Sequence, residues 1–366
     1  MPMKKVLYIS HISWGWIKQR PQFLAEELAN SCQVDVLYRE SNRRGKNLNP
    51  CFVNGNLSVR GFKNYPFERI QFISPMVSHQ INKWIWRLKR TNICQYDYIW
   101  ITDPTLWWMF KDSIDKSKTR VIYDCMDDNI AFPYMDKYPK FKEFYMQMES
   151  ELISSGDYVF CSALALKKKL IDRYGINREY VIVNNAITDV ITTYSDSVEE
   201  IKLPDNSLTY IGTISEWFDF ENTLRALEDF PALNVVLYGP IRMSEPPQHA
   251  RLHYMGPTEH KNILAIMKQS SALFMPFIVN ELIESVNPVK LYEYIYSGKP
   301  VLASRYSETE QFEEYVSLYT NFDEFKKFIS EKVFSKPILD VKKMQQFAMD
   351  NTWACRAAKI IETIGA

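Results

Sequence analysis

The segment ELIESVNPVKLYEYIYSGKPVLA, residues 281–303, decides the fold, because it reads as a capped helix running into a buried strand. Asn287 is a natural N-cap, Pro288 suits the first helical position, and Gly298 stands where a helix over 288–297 would stop. Lys290 then falls in the first turn, against the positive end of the helix dipole, at a cost of ~0.3–1 kcal/mol unless an anion shares the place. Free backbone N–H groups, dipole and ammonium converge on that anion, and a phosphate fits it best. Glu293, one turn on, shares the face of Lys290 and Ser297, whereas Leu291 and Ile295 point elsewhere. A carboxylate one turn past a phosphate suits ribose hydroxyls, so the pair reads as a grip on a nucleoside diphosphate.

Outward from this segment the same alternation of strand and helix repeats in both directions. Strands are expected at 5–10, 33–38, 98–102, 120–123, 158–161 and 180–183, then at 208–212, 234–238, 272–275 and 300–303. Helices are expected at 19–30, 141–154 and 163–174, then at 221–229, 261–268 and 288–297. The pattern predicts an α/β protein of two doubly wound, Rossmann-like domains facing a cleft at the carboxyl ends of their strands. The expected boundaries are 1–188 for the first domain, a polar linker at 189–206, a second domain at 207–350, and a closing segment at 351–366.

Length and composition agree with two ordinary domains: 366 residues, 46% apolar and 24% charged. No apolar run approaches the roughly 18–20 residues of a membrane span. The six cysteines show no CxxC pair and read as reduced thiols of a cytoplasmic protein. The formal net charge of zero hides an asymmetry: residues 1–180 hold 27 Lys+Arg against 19 Asp+Glu, and the remainder holds 17 against 25. Between 39 and 90 there are 11 basic residues against Glu40 and Glu68 alone. There, SHQINKWIWRLKR (78–90) interleaves Trp84 and Trp86 with Lys83, Arg87 and Arg90. It reads either as an interfacial helix on an anionic membrane or as a solvated helix with one core face. No nucleic-acid-binding module accompanies the patch.

Other candidates sit at expected strand exits. Gly212 lets backbone approach a ligand closely, and Thr213 and Ser215 offer hydroxyls to a phosphate. Tyr238 and Pro276 could wall a base pocket or simply pack. In the first domain VIYDCMDDN groups Asp124, Asp127 and Asp128, three acids that are costly unless solvated, paired or functional. One of them could act as a general base toward an acceptor hydroxyl, or the group could be a cap and a solvated loop. His11 follows the first strand, and Trp14, Trp16 and Arg20 follow it toward the first helix, where Trp could stack a sugar or pack in the core. No metal-spaced histidine set or DxD occurs, and GxGxxG, Walker A and GxSxG motifs are all absent.

The motif NPVKLYEYIYSGKPVLAS resembles the carboxyl-terminal signature of GT-B glycosyltransferases of the family-four type. RPQFLAEELA, YDCMDD, YIGTISEWFDFENTL and NTWACRAAKII extend the resemblance to bacterial polysaccharide and teichuronic acid glycosyltransferases. It implies a donor nucleotide-sugar site in the second domain, with a UDP-sugar as the donor, and an acceptor site in the first. It also implies no metal and no other cofactor, and a last helix crossing back to the first domain. Donor binding would then fall to Gly212, Thr213, Tyr238, Pro276, Asn287, Lys290 and Glu293, acceptor binding to His11, Trp14, Trp16 and Arg20. Asp127 or Asp128 would be the base, and Trp84, Trp86, Arg87 and Arg90 would hold the inner face of the plasma membrane, near a saccharide or lipid-linked acceptor.

Two departures from the family pattern stand out. The first glutamate of the E-x7-E motif is Ser285, and Glu216, Trp217, Phe218 and Asp219 occupy the place of a basic pair. They keep two other readings open: a GT-B sugar-nucleotide epimerase, and a non-catalytic nucleotide-sugar-binding subunit.

Overall fold

A computed structural model describes residues 3–15, 18–40, 51–63, 70–88, 93–188, 202–335 and 337–366, without the side chains of 85–88. The chain divides into two units, one of residues 1–184 with Trp353–Ala366, the other of Asn185–Thr352. Most of the expected linker, 189–201, lies outside the described residues, as do Trp16, Arg90 and the side chains of Trp86 and Arg87.

The first unit is built on β1 (Lys5–Ser10), β2 (Gln33–Arg39), β3 (Phe52–Asn54), β4 (Leu57–Phe62), β5 (Tyr98–Ile101), β6 (Arg120–Cys125), β7 (Tyr158–Cys161) and β8 (Val181–Ile182). Their order in the sheet is β3-β4-β2-β1-β5-β6-β7-β8, parallel throughout except for the β3–β4 hairpin. The strands are runs of apolar residues buried on both faces, as parallel sheets require. Helices α1 (Arg20–Leu28), α2 (Pro75–Leu88), α3 (Pro104–Phe110), α4 (Pro139–Ser155) and α5 (Leu164–Tyr174) complete what concerns the site.

The second unit has β9 (Ser207–Ile211), β10 (Asn234–Tyr238), β11 (Leu252–Gly256), β12 (Ala272–Met275), β13 (Val301–Ser304) and β14 (Ser317–Tyr319), with α6 (Phe220–Asp229) and α7 (Val289–Tyr296). Its all-parallel order is β11-β10-β9-β12-β13-β14. That is the doubly wound order, in which the strand sequence reverses between β9 and β12 and leaves a crevice at their carboxyl ends. Its core joins the sheet to the buried faces of the helices, with Leu291, Tyr294 and Ile295 of α7 fully buried.

The final helix, α8 (Trp353–Ile364), belongs to the first unit. Trp353 stacks on Phe23 of α1 at 5.3 Å between ring centroids, and the Tyr98 hydroxyl donates to the Ile364 carbonyl at 2.8 Å. A chain that leaves the first unit at Asn184 therefore returns to it at Trp353.

Four strands were not expected. The hairpin β3–β4 lies in the stretch read for its charge, although Leu57 and Val59 alternate with Ser58 and Arg60 as a strand with one covered face should. The others, β11 and β14, are edge strands of mixed polarity, too weakly patterned to stand out. The helix at the opening segment is shorter than expected: Pro288 is its N-cap and Ser297 its C-cap, followed by Gly298 at φ 72°.

Candidate functional site

At the switch point of the second sheet, Lys290 lies across the backbone of Gly212. A Cβ added at Gly212 would stand 2.2 Å from Lys290 Cε and 2.9 Å from Nζ, so only glycine admits the lysine there. The same logic extends to Gly239, whose Cβ would meet the Gly212 carbonyl oxygen at 2.0 Å and whose φ is 137°. The amide of Gly212 donates to Tyr238 O and that of Gly239 to Gly256 O, both at 2.8 Å. Glycines thus cap three adjacent strands, and the rim is almost bare backbone.

Tyrosines hold this rim. The Tyr210 hydroxyl donates to Thr213 O at 3.0 Å, while its ring lies 5.8 Å from Lys290 Nζ. The Ile211 amide donates to the Tyr294 hydroxyl at 2.8 Å, which ties α7 directly to the end of β9. Burial of Leu291, Tyr294 and Ile295 fixes the rotation of α7, leaving Lys290 and Glu293 half-buried on its other side.

Among the described residues the side chains of Lys290 and Glu293 make no hydrogen bond or ion pair. Burial pushes the Lys290 ammonium below its ordinary range, with Glu293 opposing. Burial likewise lifts the Glu293 carboxyl to about 7, with Lys290 holding it down. Two desolvated opposite charges without direct partners favour a ligand that offers both an anion and hydroxyl groups. The amides of Val289 and Lys290 open the helix at the same place.

The remaining candidates divide. Thr213 is half-buried beside Gly212. Tyr238 is buried against Val236 and Ile266, and buried Pro276 accepts the Asp219 amide at 2.8 Å, so both are packing residues at this crevice. Asn287 is not the helix cap. Its Oδ1 accepts the Asn185 amide at 3.0 Å and its carbonyl accepts Asn185 Nδ2 at 2.8 Å, because the segment beginning the second unit runs past it. Where a basic pair is missing, Asp219 caps α6 by accepting the Asn222 amide at 3.0 Å, and Phe218 is in the core. Glu284 is turned toward Ser307, accepting its amide at 3.2 Å, and Ser285 is buried. A residue missed in the sequence is Arg242. It is exposed, and its amide donates to Ile214 O at 2.8 Å, which sets its backbone beside the loop that follows Gly212. An arginine shortly after the Gly-Pro turn at a strand exit was the available signal.

In the first unit the acids behave differently from one another. Asp124 forms a buried ion pair with Arg20, at 2.7 Å from Nη2, and Arg20 also donates to Val183 O at 2.7 Å. Arg20 is therefore internal, not a free contact for an acceptor. Asp128 is buried between Arg173, at 2.9 Å, and Lys169, at 3.3 Å, which removes it as a free base. Of the three carboxyls, that of Asp127 alone has no hydrogen bond or ion pair among the described residues. Burial raises its carboxyl to about 6, with Arg20 opposing and Asp128 and Asp124 adding to the rise. His11 stands at the switch point of this sheet, its Nδ1 2.8 Å from Thr102 Oγ1, and burial lowers its pKa. Trp14 is mostly buried. On α2, Trp84 is exposed, whereas Lys83 turns inward to pair with Asp112 beside the Trp108 ring. Among the described residues no group of three or more His, Cys, Asp or Glu side chains could hold a metal ion, and no helix is long and apolar enough to cross a membrane.

Comparison with known proteins gives this geometry a setting. No family model matches the chain. A Bacillus subtilis protein named as a teichuronic acid biosynthesis glycosyltransferase is 24% identical over 266 residues, covering 67% of each chain. Among solved structures, sucrose-phosphate synthase from Thermosynechococcus elongatus matches with a TM-score of 0.73 at 11% identity, covering 99% of this chain and 98% of that one. Anabaena HepE, solved in complex with UDP-glucose, matches with a TM-score of 0.67 at 13% identity, covering 99% of both. The chain is a glycosyltransferase of GT-B fold.

Within this glycosyltransferase the raised Glu293 carboxyl has a consequence for stability. A carboxyl that keeps its proton up to about 7 when folded, against 4.5 unfolded, adds stability below 4.5 that is lost as pH rises through 7. Glu293→Gln should therefore lose less stability than wild type between pH about 5 and about 8, read as the change in urea midpoint. Parallel pH dependence in the two proteins would contradict the assignment.

Proposed function

We propose that this glycosyltransferase takes a nucleotide-diphosphate sugar, a UDP-sugar, on its second unit and passes the sugar to a saccharide or lipid-linked acceptor in bacterial envelope polysaccharide synthesis. The observation that carries the reading is Lys290, a half-buried ammonium laid over Gly212 whose side chain has no ion pair among the described residues. In this reading the diphosphate lies on Lys290, the first amides of α7 and the Gly212–Thr213 backbone. Glu293 accepts hydrogen bonds from the ribose hydroxyls. The UDP-glucose complex of Anabaena HepE and the name of the Bacillus relative support the donor class and the pathway type.

Transfer breaks the bond from the sugar C1 to the diphosphate oxygen and forms one from C1 to the acceptor oxygen. The charge left on the diphosphate falls on Lys290 and the helix terminus. The acceptor proton goes to the Asp127 carboxylate, which burial keeps close to neutrality in its proton affinity. His11, held by Thr102, contributes to the acceptor side.

Replacing Lys290 by alanine should remove a charge-assisted contact worth about 1.5–3 kcal/mol, a roughly tenfold to hundredfold loss of UDP affinity. Thermal shift with UDP, against uridine as control, reads it. UDP stabilisation undiminished in Lys290→Ala would overturn the site.

The membrane part of the reading rests on α2. Its outward face carries Met76, Val77 and Trp84, all exposed, within the basic stretch of the chain. Such a face would hold the enzyme at an anionic bilayer carrying a lipid-linked acceptor. Changing these three residues to serine should abolish flotation with phosphatidylglycerol vesicles and leave UDP binding intact. Flotation that persists would reject membrane attachment through α2.

A further inference from the structure

Behind the Asp127 loop lies a charge cluster that the donor site does not use. One Arg173 nitrogen, Nη2, reaches both oxygens of buried Asp128, at 2.9 and 3.0 Å, and Nη1 comes within 3.7 Å of Glu149. Lys169, one turn earlier on α5, stands 3.3 Å from Asp128. Glu149 of α4 also accepts the hydroxyls of Tyr123 and Tyr174, both at 2.6 Å. On the other side Asp124 is held by Arg20. Three cations, Arg20, Lys169 and Arg173, thus face three paired acids, Asp124, Asp128 and Glu149. Asp127 is the fourth carboxyl, and no cation pairs with it among the described residues.

The backbone of this loop is held as well. Ser162 donates through its amide to Cys125 O at 3.0 Å and through its hydroxyl to Met126 O at 2.7 Å. The Asn129 amide closes on Asp127 O at 3.0 Å. With the residue before Asp127 pinned to the end of β7 and the residue after it pinned to α5, the loop has little freedom left.

We propose that Arg173 is a positioning residue for Asp127: together with Lys169 it clamps Asp128 against α5, so that Asp127 is the carboxylate left open to receive an acceptor proton. The inference rests on the reading of Asp127 as the base. An arginine suits the task because its planar fork satisfies Asp128 and still reaches Glu149, a geometry that a lysine copies in charge but not in shape. The groups that bear on Asp127 are Asp124 of β6, Arg20 of α1 and Asp128 beside it; behind Asp128 stand Lys169 and Arg173 of α5 and Glu149 of α4. Removing the Arg173 charge leaves Asp128 and Glu149 less compensated. Their field then disfavours an ionised Asp127, which keeps its proton to higher pH.

The test is a carboxyl carbon-13 titration of Asp127 in the full-length protein, with the resonance assigned by its loss in Asp127→Asn. Arg173→Gln should raise the Asp127 midpoint by at least about half a pH unit, Arg173→Lys should restore most of it, and Asp128→Asn should lower it. Asp128→Asn is nearly isosteric and serves if Arg173→Gln does not fold. A midpoint that stays at the wild-type value in folded variants overturns the inference. Because the titration is read on the free protein, it succeeds or fails separately from the role as base, which Asp127→Asn tests by loss of transfer from the donor.

Discussion

The second unit is organised around a lysine ammonium pressed onto a glycine backbone. Lys290 can lie over Gly212 only because Gly212 lacks a Cβ, and Gly212 can lie where it does only because Gly239 also lacks one. The helix that carries Lys290 is anchored from beneath by Leu291 and Ile295 and from the side by Tyr294 on the Ile211 amide. Each of these contacts would be unremarkable in an ordinary core. Together they hold a desolvated cation, and a carboxyl one turn away, in an arrangement that folding alone does not reward.

The two units use a similar topology for opposite electrostatic ends. In the second, the Lys290 and Glu293 side chains have no ion pair among the described residues, and glycine backbone lies beside the lysine. In the first, most charge is neutralised internally: Arg20 with Asp124, and Arg173 and Lys169 with Asp128. Among the described residues the Asp127 carboxyl stays without a hydrogen bond or ion pair at the carboxyl ends of the strands, beside a neutral His11 held by Thr102. A diphosphate needs standing positive charge, whereas an acceptor hydroxyl needs one group able to take a proton near neutral pH. The difference between the units matches that division of labour.

Much of the fold was legible in the sequence because parallel strands are continuous apolar runs and their helices have clear stripes. The exceptions were β3, β4, β11 and β14, at or next to the sheet edges, where exposed and half-exposed residues blur the pattern. At the site, Lys290 and Glu293 were legible because helical spacing places them on one face and a lysine in a first turn asks for an anion. What the sequence did not disclose was partnership. Asp124, Asp127 and Asp128 look alike in a string, and only their tertiary neighbours separate two paired carboxylates from one free one. Asn287 has the composition of a cap, but a segment about a hundred residues earlier claims its side chain. The backbone of Arg242 meets the loop after Gly212 through an amide bond to Ile214 O, a pairing that the Gly-Pro turn before it only hints at.

The side-chain nitrogen resonance of Lys290, assigned through its loss in Lys290→Met, follows the central cation directly. On addition of UDP that resonance should shift and saturate with the same dissociation constant as UDP binding, and uridine should leave it in place. UDP that binds while the Lys290 resonance stays where it was in the free protein would contradict a diphosphate on this lysine.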